Sequence, residues 1–347
     1  MDILDNINVI KQRDPDNALR IVSETPEQLL WDAVVENDPA VDHQFRPSKI
    51  ILAGMGGSAL AGLIVKNWLN LSIPFDVIRD YDLPQYIDEG TLVIAASYSG
   101  NTEETLSSFD QAINKKARVV VIASGGKLID SANKLDIPFV KLPVGLQPRM
   151  ATFYGLRAIT KILSLFNVAP ESYSQIADCY HVAKSYAQNF LANIGIDENL
   201  AKQIAIKCVG KTPVIYSSTL MSPVSYKWKI SFNENAKNTS FYNQLPEFNH
   251  NEFMGWVSHP IKKPFIPINL LSSFDHSLIK KRFEISDQLL SGKRPASFQV
   301  NLHGDTVLCQ MICGSILADF VTIYLAILNN VNPIPVPLIE QLKIRLS

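Results

Sequence analysis

The chain has 347 residues, too many for one compact core, and two domains are therefore expected. Its formal net charge of −1 argues against a strongly cationic nucleic-acid or membrane-surface binder. Apolar residues make up 47% of the sequence and charged residues 19%, a balance that excludes disorder over most of the chain.

The first 47 residues are polar and contain helix-like stretches at Ala18–Val22 and Gln28–Val35. The opening residues, Met1–Asn6, lack the positive charge and the apolar run of a signal peptide. A cytoplasmic protein is therefore expected.

Short apolar runs then alternate with helix-like segments, and glycine- or serine-rich turns separate them. Helices are predicted to begin near Ala59 and at Glu103. Continuous apolar strands between helices indicate a parallel sheet that is covered on both faces. The strands of this half are predicted at Lys49–Ala53, Phe75–Ile78, Thr91–Ala96 and Arg118–Ala123.

The second half repeats the scheme, which suggests a duplication of one doubly wound domain. The predicted fold is α/β, with two doubly wound αβα sandwich domains built on parallel sheets, at residues 1–168 and 169–347. A terminal helix is predicted at Leu338–Leu346. The other elements of this half are predicted as strands at Thr212–Tyr216, Phe265–Leu270 and Phe298–Leu302, and as helices at Ser225–Asn235, Leu278–Leu289 and Val307–Leu328.

Val307–Leu328 is the one membrane-like stretch in the sequence. Asp319 lies in it, and an acidic residue within a span is costly in a bilayer, so we expect a buried helix at a domain or subunit interface. Cys309 and Cys313 share a face of this helix, and no His or acidic residue lies between them. We expect two buried structural thiols rather than a metal pair.

Two turns carry the strongest indication of a binding site. Gly56-Gly57-Ser58 follows the first apolar strand, and Ser97-Tyr98-Ser99-Gly100-Asn101-Thr102 follows the third. Ligands bind open parallel sheets at such strand ends, helix N-termini favour anions, and hydroxyl groups add donors. We favour a phosphate site; the alternative is that Asn101 and Glu104 form a capping box that only starts a helix.

Neither turn matches a nucleotide-binding loop. The Gly-Lys-Ser/Thr of a Walker loop does not occur, and Gly54–Ala59 lacks the third glycine of the dinucleotide fingerprint. ATP and NAD are therefore not expected as ligands.

Lys49–Gly62 together with Thr91–Thr105 resembles the sugar isomerase (SIS) domain. Phe232–Lys237, Pro246–Glu252 and Lys343 are similar to the bifunctional phosphoglucose/phosphomannose isomerase family, and the resemblance runs from residue 46 to the end. It implies two flavodoxin-like SIS domains in one chain, a homodimer, and an aldose–ketose isomerase that acts on hexose 6-phosphates without a metal or other cofactor. Neither a nucleic acid nor a membrane is expected as a partner.

The resemblance also implies roles for single residues. Glu234 corresponds to the catalytic base, which moves a proton between C1 and C2 through a cis-enediol(ate). Arg149 corresponds to the cation that stabilises the enediolate. His250 and Lys343 correspond to the pair that opens the sugar ring. The residues that surround the sugar and its phosphate are Gly56, Gly57, Ser58, Ser97, Ser99 and Thr102.

Each of these side chains also has a plain structural interpretation. Glu234 and Lys237 are spaced i, i+3 and could form a surface ion pair. His250 could be an ordinary turn residue, Lys343 a cation at a helix C-terminus, and Arg149 a structural ion-pair arginine. The sequence around His250 has no zinc-like spacing, so no metal is expected.

One stretch departs from the family pattern. Some members carry a hydroxyl residue about two turns before the lysine, and Pro335-Val336-Pro337 has none. Glucose 6-phosphate is therefore the expected substrate, and mannose 6-phosphate stays open.

Two alternatives belong to other classes of protein. A non-catalytic SIS protein that binds a phosphosugar and regulates transcription should carry a helix-turn-helix and a basic face, which the first 47 residues do not supply. A glucosamine-6-phosphate synthase needs a glutaminase domain with a cysteine nucleophile, whereas position 2 is Asp.

Overall fold

The computed structural model describes residues 3–37, 44–258 and 264–346. It confirms the predicted α/β class, because helices flank two sheets whose strands pair in parallel apart from one edge pair, and a helix lies at the C-terminal end.

The strands are β1 (Val35–Glu36), β2 (Lys49–Gly54), β3 (Phe75–Ile78), β4 (Thr91–Ala96), β5 (Arg118–Ala123), β6 (Phe139–Lys141), β7 (Thr212–Ser218), β8 (Phe241–Leu245), β9 (Phe265–Leu271) and β10 (Phe298–Asn301). The helices are α1 (Ile7–Arg13), α2 (Ala18–Ser23), α3 (Gly56–Leu69), α4 (Glu103–Asn114), α5 (Gly126–Lys134), α6 (Thr152–Leu165), α7 (Ser172–Asp178), α8 (Tyr180–Gln188), α9 (Leu200–Cys208), α10 (Ser222–Glu234), α11 (Glu252–Gly255), α12 (Ser277–Leu289), α13 (Val307–Leu328) and α14 (Pro337–Leu346). Short 3-10 helices lie at Ile3–Asp5, Thr25–Leu30, Pro148–Met150, Ile196–Glu198 and Glu247–His250. The helix-like stretch expected at Gln28–Val35 is therefore wrong in its second part, where the chain enters β1.

The first sheet has six strands in the order β1-β6-β5-β4-β2-β3. All six residues of β4 are buried, as expected for an apolar strand that is covered on both faces. β2 pairs with β4 in parallel, and Gly54 lies opposite Ala96 at the carboxyl ends. The two predicted turns therefore leave the sheet side by side.

The second sheet has four parallel strands in the order β10-β9-β7-β8. The sequence does not predict β8, because Tyr242, Asn243 and Gln244 are only half-buried and give no apolar run. β8 nevertheless pairs along β7 from Val214 to Ser218.

The chain forms two compact units, and each is described by itself. The continuous unit is Thr25–His181 and holds the first sheet; the split unit is Met1–Glu24 with Val182–Ser347 and holds the second. This division differs from residues 1–168 and 169–347, because the N-terminal helices pack on α13. Leu4 and Ile10 are buried there, and Arg13 Nη1 donates to the Ile327 carbonyl at 2.8 Å.

Helix α13 is the core helix of the split unit. It is long and apolar enough to cross a bilayer, with a mean hydropathy of 2.1, but 94% of that apolar window is buried inside the protein. It packs against α2, α9 and α10 of its own unit, which confirms the expected burial; a position at a domain or subunit interface stays a prediction.

The cysteines of α13 differ from each other. Cys313 is a buried free thiol, as expected, and burial raises its pKa to about 12. Cys309 is also buried but is disulfide-bonded, so the expectation of two free thiols is wrong. The i, i+4 spacing within one helix carries no information on a cysteine elsewhere in the chain.

Candidate active site

The two hydroxyl-rich turns begin helices α3 and α4 at the carboxyl edge of the first sheet. Gly56 has a φ of +51° and Gly100 a φ of +70°, a backbone region that glycine adopts without strain. A Cβ on Gly100 would overlap the Gly125 carbonyl. Glycine is therefore required at position 100 for both its conformation and its close backbone contact.

Neither helix has a side-chain cap at its N-terminus: the N-cap residues are Met55 for α3 and Thr102 for α4. The alternative interpretation, a capping box of Asn101 and Glu104, is wrong, because with Thr102 as N-cap Glu104 stands one position too early for that pairing. The open N–H groups of both first turns remain suited to an anion.

Asn101 does not cap α4 but bonds to its own turn and to the helix after β5. Its Nδ2 donates to the Ser99 carbonyl at 3.2 Å, and its Oδ1 accepts from the Lys127 amide at 3.0 Å. Lys127 lies in the first turn of α5, so Asn101 caps the neighbouring helix.

Some hydroxyl groups of the two turns bond within the turns, and others keep a proton that a ligand could accept. Ser97 is buried, its Oγ lies 2.7 Å from Thr102 Oγ1, and it accepts from the Gly100 amide at 3.2 Å. Ser58 Oγ accepts from the Tyr98 amide at 3.2 Å and so ties the two turns together. Ser99 is exposed, and its Oγ accepts from the Asn101 amide at 3.3 Å. Ser58 and Ser99 keep a hydroxyl proton for a ligand, whereas Ser97 shapes the turn.

Arg149 is placed beside this edge by close backbone packing. A Cβ on Gly57 would lie 2.5 Å from the Pro148 carbonyl oxygen and 3.1 Å from the Arg149 amide nitrogen. Arg149 is 2% exposed, and its Nη1 lies 3.4 Å from Gln147 Oε1. The short 3-10 helix Pro148–Met150 is fixed by Gln28, whose Nε2 donates to the Met150 carbonyl at 2.7 Å.

A cavity of about 20 Å³ lies under the first turn of α3, lined in part by Gly57, Ser58, Tyr98 and Pro148. This volume holds roughly one water molecule. Gly57 and Ser58, two of the predicted substrate-binding residues, belong to its lining.

Glu234 is the last residue of α10 in the split unit and is half-buried. Lys237 Nζ donates to the main-chain carbonyl of Glu234 at 2.7 Å and to that of Pro333 at 3.2 Å. These bonds place a cation on the C-terminus of α10, where the helix dipole favours positive charge.

His250 ends a 3-10 helix and is exposed, and its neighbours hold the loop. Asn249 Nδ2 donates to Ser286 Oγ at 2.8 Å. The Glu252 carboxylate accepts from the Tyr216 hydroxyl and, at 2.7 Å, from Asn243 Nδ2. The loop that carries His250 is therefore anchored on both sides while the imidazole faces solvent.

Tyr216 and Glu252 are site-supporting residues whose roles the sequence does not reveal. Burial, and next the charge of Glu252, raise the pKa of Tyr216, which keeps its hydroxyl protonated as a donor. Trp256 Nε1 donates to the same hydroxyl oxygen at 2.9 Å. An aromatic residue within an apolar strand gives no signal of such a hydrogen bond.

Lys343 lies on α14, a helix with no buried residue. Apolar side chains are exposed beside it, among them Leu338 at 79% and Leu342 at 57%. The side chain is thus in solvent within this chain.

The structure gathers one group of predicted residues in the continuous unit: Gly56, Gly57, Ser58, Ser97, Ser99, Thr102 and Arg149. Glu234, His250 and Lys343 all lie in the split unit, on three different elements. Among residues 3–37, 44–258 and 264–346, no group of three or more His, Cys, Asp or Glu side chains could hold a metal ion.

Comparison with known proteins gives matches to both halves. Residues 45–140 match the family described as SIS domain, and residues 197–346 match the bacterial phospho-glucose isomerase C-terminal SIS domain. A bifunctional phosphoglucose/phosphomannose isomerase of Aquifex aeolicus is 33% identical over 85% of this chain and 89% of its own length.

Two further matches are to proteins that are named for other reactions of sugar phosphates. A D-glucosamine-6-phosphate 4-epimerase of Sulfolobus acidocaldarius is 33% identical over 71% of this chain and 75% of its own length. The crystal structure of a tagatose-6-phosphate ketose/aldose isomerase from Escherichia coli aligns with a TM-score of 0.66 at 15% identity. That alignment covers 94% of this chain and 93% of the other, and it is a likeness of fold alone.

Proposed function

The chain belongs to the bifunctional phosphoglucose/phosphomannose isomerase family, and from this membership we propose that it interconverts glucose 6-phosphate, and also mannose 6-phosphate, with fructose 6-phosphate. The observation that carries the proposal is the pair of uncapped helix N-termini, α3 and α4, on neighbouring strands. Their N–H groups and the hydroxyls of Ser58, Ser99 and Thr102 suit a phosphate dianion.

The isomerisation itself requires a base and a cation. In our proposal the Glu234 carboxylate removes the proton from C2 of the open-chain sugar phosphate and returns it to C1. The Arg149 guanidinium stabilises the negative oxygen of the cis-enediol(ate) that forms in between. Gly57 supports this role of Arg149, because the contact between their backbones ties the arginine to the phosphate-binding edge.

The resting sugar is cyclic, so the ring must open first. We assign this step to His250 and Lys343, which divide the acid at the ring oxygen and the base at the C1 hydroxyl between them. The anchored loop supports the assignment of His250, since it presents an exposed imidazole on a fixed backbone. The proposed reaction needs no metal or other cofactor.

The assembly and location of the protein are further parts of the proposal. We propose that the protein acts as a homodimer in the cytoplasm. The exposed apolar side chains of α14, such as Leu338 and Leu342, support an association of copies through this helix.

Substrate choice is the finer part of the proposal. Pro335-Val336-Pro337 offers no hydroxyl ahead of Lys343, which favours glucose 6-phosphate over its C2 epimer. The 4-epimerase relative makes glucosamine 6-phosphate a second candidate substrate. A phosphosugar-binding regulator without catalysis is the candidate from another class.

The test is to incubate the purified protein with fructose 6-phosphate and EDTA and to measure glucose 6-phosphate and mannose 6-phosphate separately. Formation of either product supports the isomerase, and the ratio gives the preference. Binding of fructose 6-phosphate without any product would favour the regulator. Conversion of glucosamine 6-phosphate alone would favour the epimerase. A Glu234→Gln variant should bind substrate but lose proton exchange at C2, and full turnover by this variant would remove Glu234 as the base.

A further inference from the structure

The position of Glu234 is set by the packing of α10, because Glu234 is its final residue. Helix α10 packs closely on α13. A Cβ on Gly314 of α13 would lie 2.8 Å from Val224 Cγ1, and Trp228 Nε1 donates to the Gly314 carbonyl at 2.9 Å. The two helices are therefore packed tightly where Val224 and Trp228 of α10 meet Gly314 of α13.

The interface then becomes polar towards the end of α10. Lys227, Ser231 and Asn235 are four residues apart and share one face of the helix. All three point to Asp319 Oδ1, at 2.8 Å for Lys227 Nζ, 2.8 Å for Ser231 Oγ and 3.4 Å for Asn235 Nδ2. Asn235 Nδ2 also lies 2.9 Å from Thr322 Oγ1. We call these five residues the Asp319 ladder.

The Asp319 ladder is fully buried in an apolar surrounding. The side chains of Lys227 and Asp319 are 2% and 5% exposed. Taking two charges out of water costs several kcal/mol per ion, and well-packed apolar residues in their place are often neutral or stabilising by about 1–4 kcal/mol. Stability alone therefore does not account for an ion pair at this depth.

A polar contact inside an apolar interface does specify register. An apolar surface allows α10 to slide on α13, whereas three donors on one oxygen are satisfied in one register only. A slip of one residue moves a helix by about 1.5 Å along its axis. That is more than enough to misplace a catalytic group, since a misplacement of about 1 Å can cost roughly 100-fold in rate.

We propose that Asp319 is a positioning residue, which fixes the register of α10 on α13. It thereby sets the position of the Glu234 carboxylate along the helix axis, so that this group can reach C2 of the substrate. The inference rests on the proposed isomerase function. It explains why a helix apolar enough to cross a bilayer carries one acidic residue. The role is indirect, because Asp319 acts on the reaction only through Glu234.

The experiment compares the Lys227→Met/Asp319→Leu variant with the wild type. We expect an unchanged or higher Tm, a kcat at least tenfold lower and an unchanged KM for fructose 6-phosphate. We also expect a larger deuterium isotope effect with substrate labelled at the transferred position, because proton transfer becomes slower relative to the other steps. A purely structural role of the ion pair would lower Tm and leave the isotope effect as it is.

Two further variants complete the design. Lys202→Met/Asp5→Leu removes another ion pair of the split unit, at 3.1 Å, whose lysine is also buried but lies on α9. Because Lys202 Nζ also donates to the Ala192 and Ile194 carbonyls, which lose this donor, the variant should lower Tm with an unchanged kcat. If the Lys227→Met/Asp319→Leu variant does not fold, Ser231→Ala/Thr322→Val keeps the ion pair and removes two other contacts of the ladder. It should lower kcat about threefold with a larger isotope effect.

The positioning role would be overturned if a folded Lys227→Met/Asp319→Leu or Ser231→Ala/Thr322→Val protein had the kcat and the isotope effect of the wild type. The proposed function would then still stand. A wild-type protein without isomerase activity would overturn the proposed function, and this inference with it.

Discussion

The contact between Gly57 and the backbone of Pro148 and Arg149 allows a direct test of how the continuous unit places its arginine. In Gly57→Ala the new Cβ would lie 2.5 Å from the Pro148 carbonyl oxygen, where an ordinary contact starts at 3.4 Å. Both partners are main chain, so no side-chain rotation relieves the overlap. The first turn of α3 and the 3-10 helix Pro148–Met150 must move apart by about 0.9 Å.

The expected effect on stability is small. Alanine in place of a helical glycine gains roughly 1 kcal/mol, and overpacking costs about 1–3 kcal/mol, so the two effects partly cancel. The effect on activity is larger, because a shift of about 1 Å in a catalytic group can cost roughly 100-fold. We expect kcat/KM for fructose 6-phosphate to fall about 100-fold in Gly57→Ala while the protein stays folded.

The assay measures kcat and KM with EDTA present, together with thermal unfolding. Gly62→Ala is the matched control on the same helix, since its Cβ would lie 2.9 Å from Leu52 Cδ1, a side-chain atom that can move. It should lower Tm and leave kcat/KM unchanged. A folded Gly57→Ala protein with kcat/KM within threefold of the wild type would refute the argument that this contact positions Arg149.

Three other predictions follow from single contacts. Asn101→Ala removes the cap on the Lys127 amide and should lower the free energy of unfolding by about 1 kcal/mol in urea titrations; an unchanged value would show that α5 does not depend on this cap. Ser97→Ala should lower it by about 1 kcal/mol, because the bonds of the buried hydroxyl to Thr102 Oγ1 and the Gly100 amide are lost while that amide keeps the Ser97 carbonyl, whereas Ser99→Ala should leave it unchanged and raise KM. Burial raises the pKa of Asp275 above 3.8, so the folded state holds its proton more tightly than the unfolded chain, and this carboxyl makes the protein less stable as the pH rises through its raised pKa. Asp275→Asn should lose less stability between about pH 4 and pH 7 than the wild type in urea titrations at each pH, and a difference between the two that does not vary with pH would contradict this.

The sequence predicts β2 to β5 of the first sheet, because these strands carry their own signal, but it does not predict β1 and β6. The bounds of β3, β4 and β5 agree with the predicted runs, since each is a mainly apolar stretch that ends at a turn. β8 has no such block, and only its pairing with β7 makes Phe241–Leu245 a strand. A short strand that forms only because it pairs with a neighbouring strand cannot be recognised from the residue pattern of its own segment.

The same limit applies to the candidate site. Glycines and hydroxyls at strand ends predict an anion site because the chemistry lies within a few residues. The bond from Asn101 to Lys127 spans 26 positions and the one from Tyr216 to Glu252 spans 36, so neither can be predicted from spacing. The local motif also suggests the wrong role for Asn101, which caps α5, whereas Thr102 is the N-cap residue of α4.

The division of the chain has a consequence for its biosynthesis. The continuous unit lies between two segments of the split unit, and Arg13 bonds to Ile327, 314 positions later. Domains fold as units while the ribosome is still at work. The continuous unit can therefore fold while α13 is still unmade, but residues 3–24 emerge first and must stay unpaired until α13 follows. Until then their apolar side chains, such as Leu4, lack the contacts with α13 that the folded protein has.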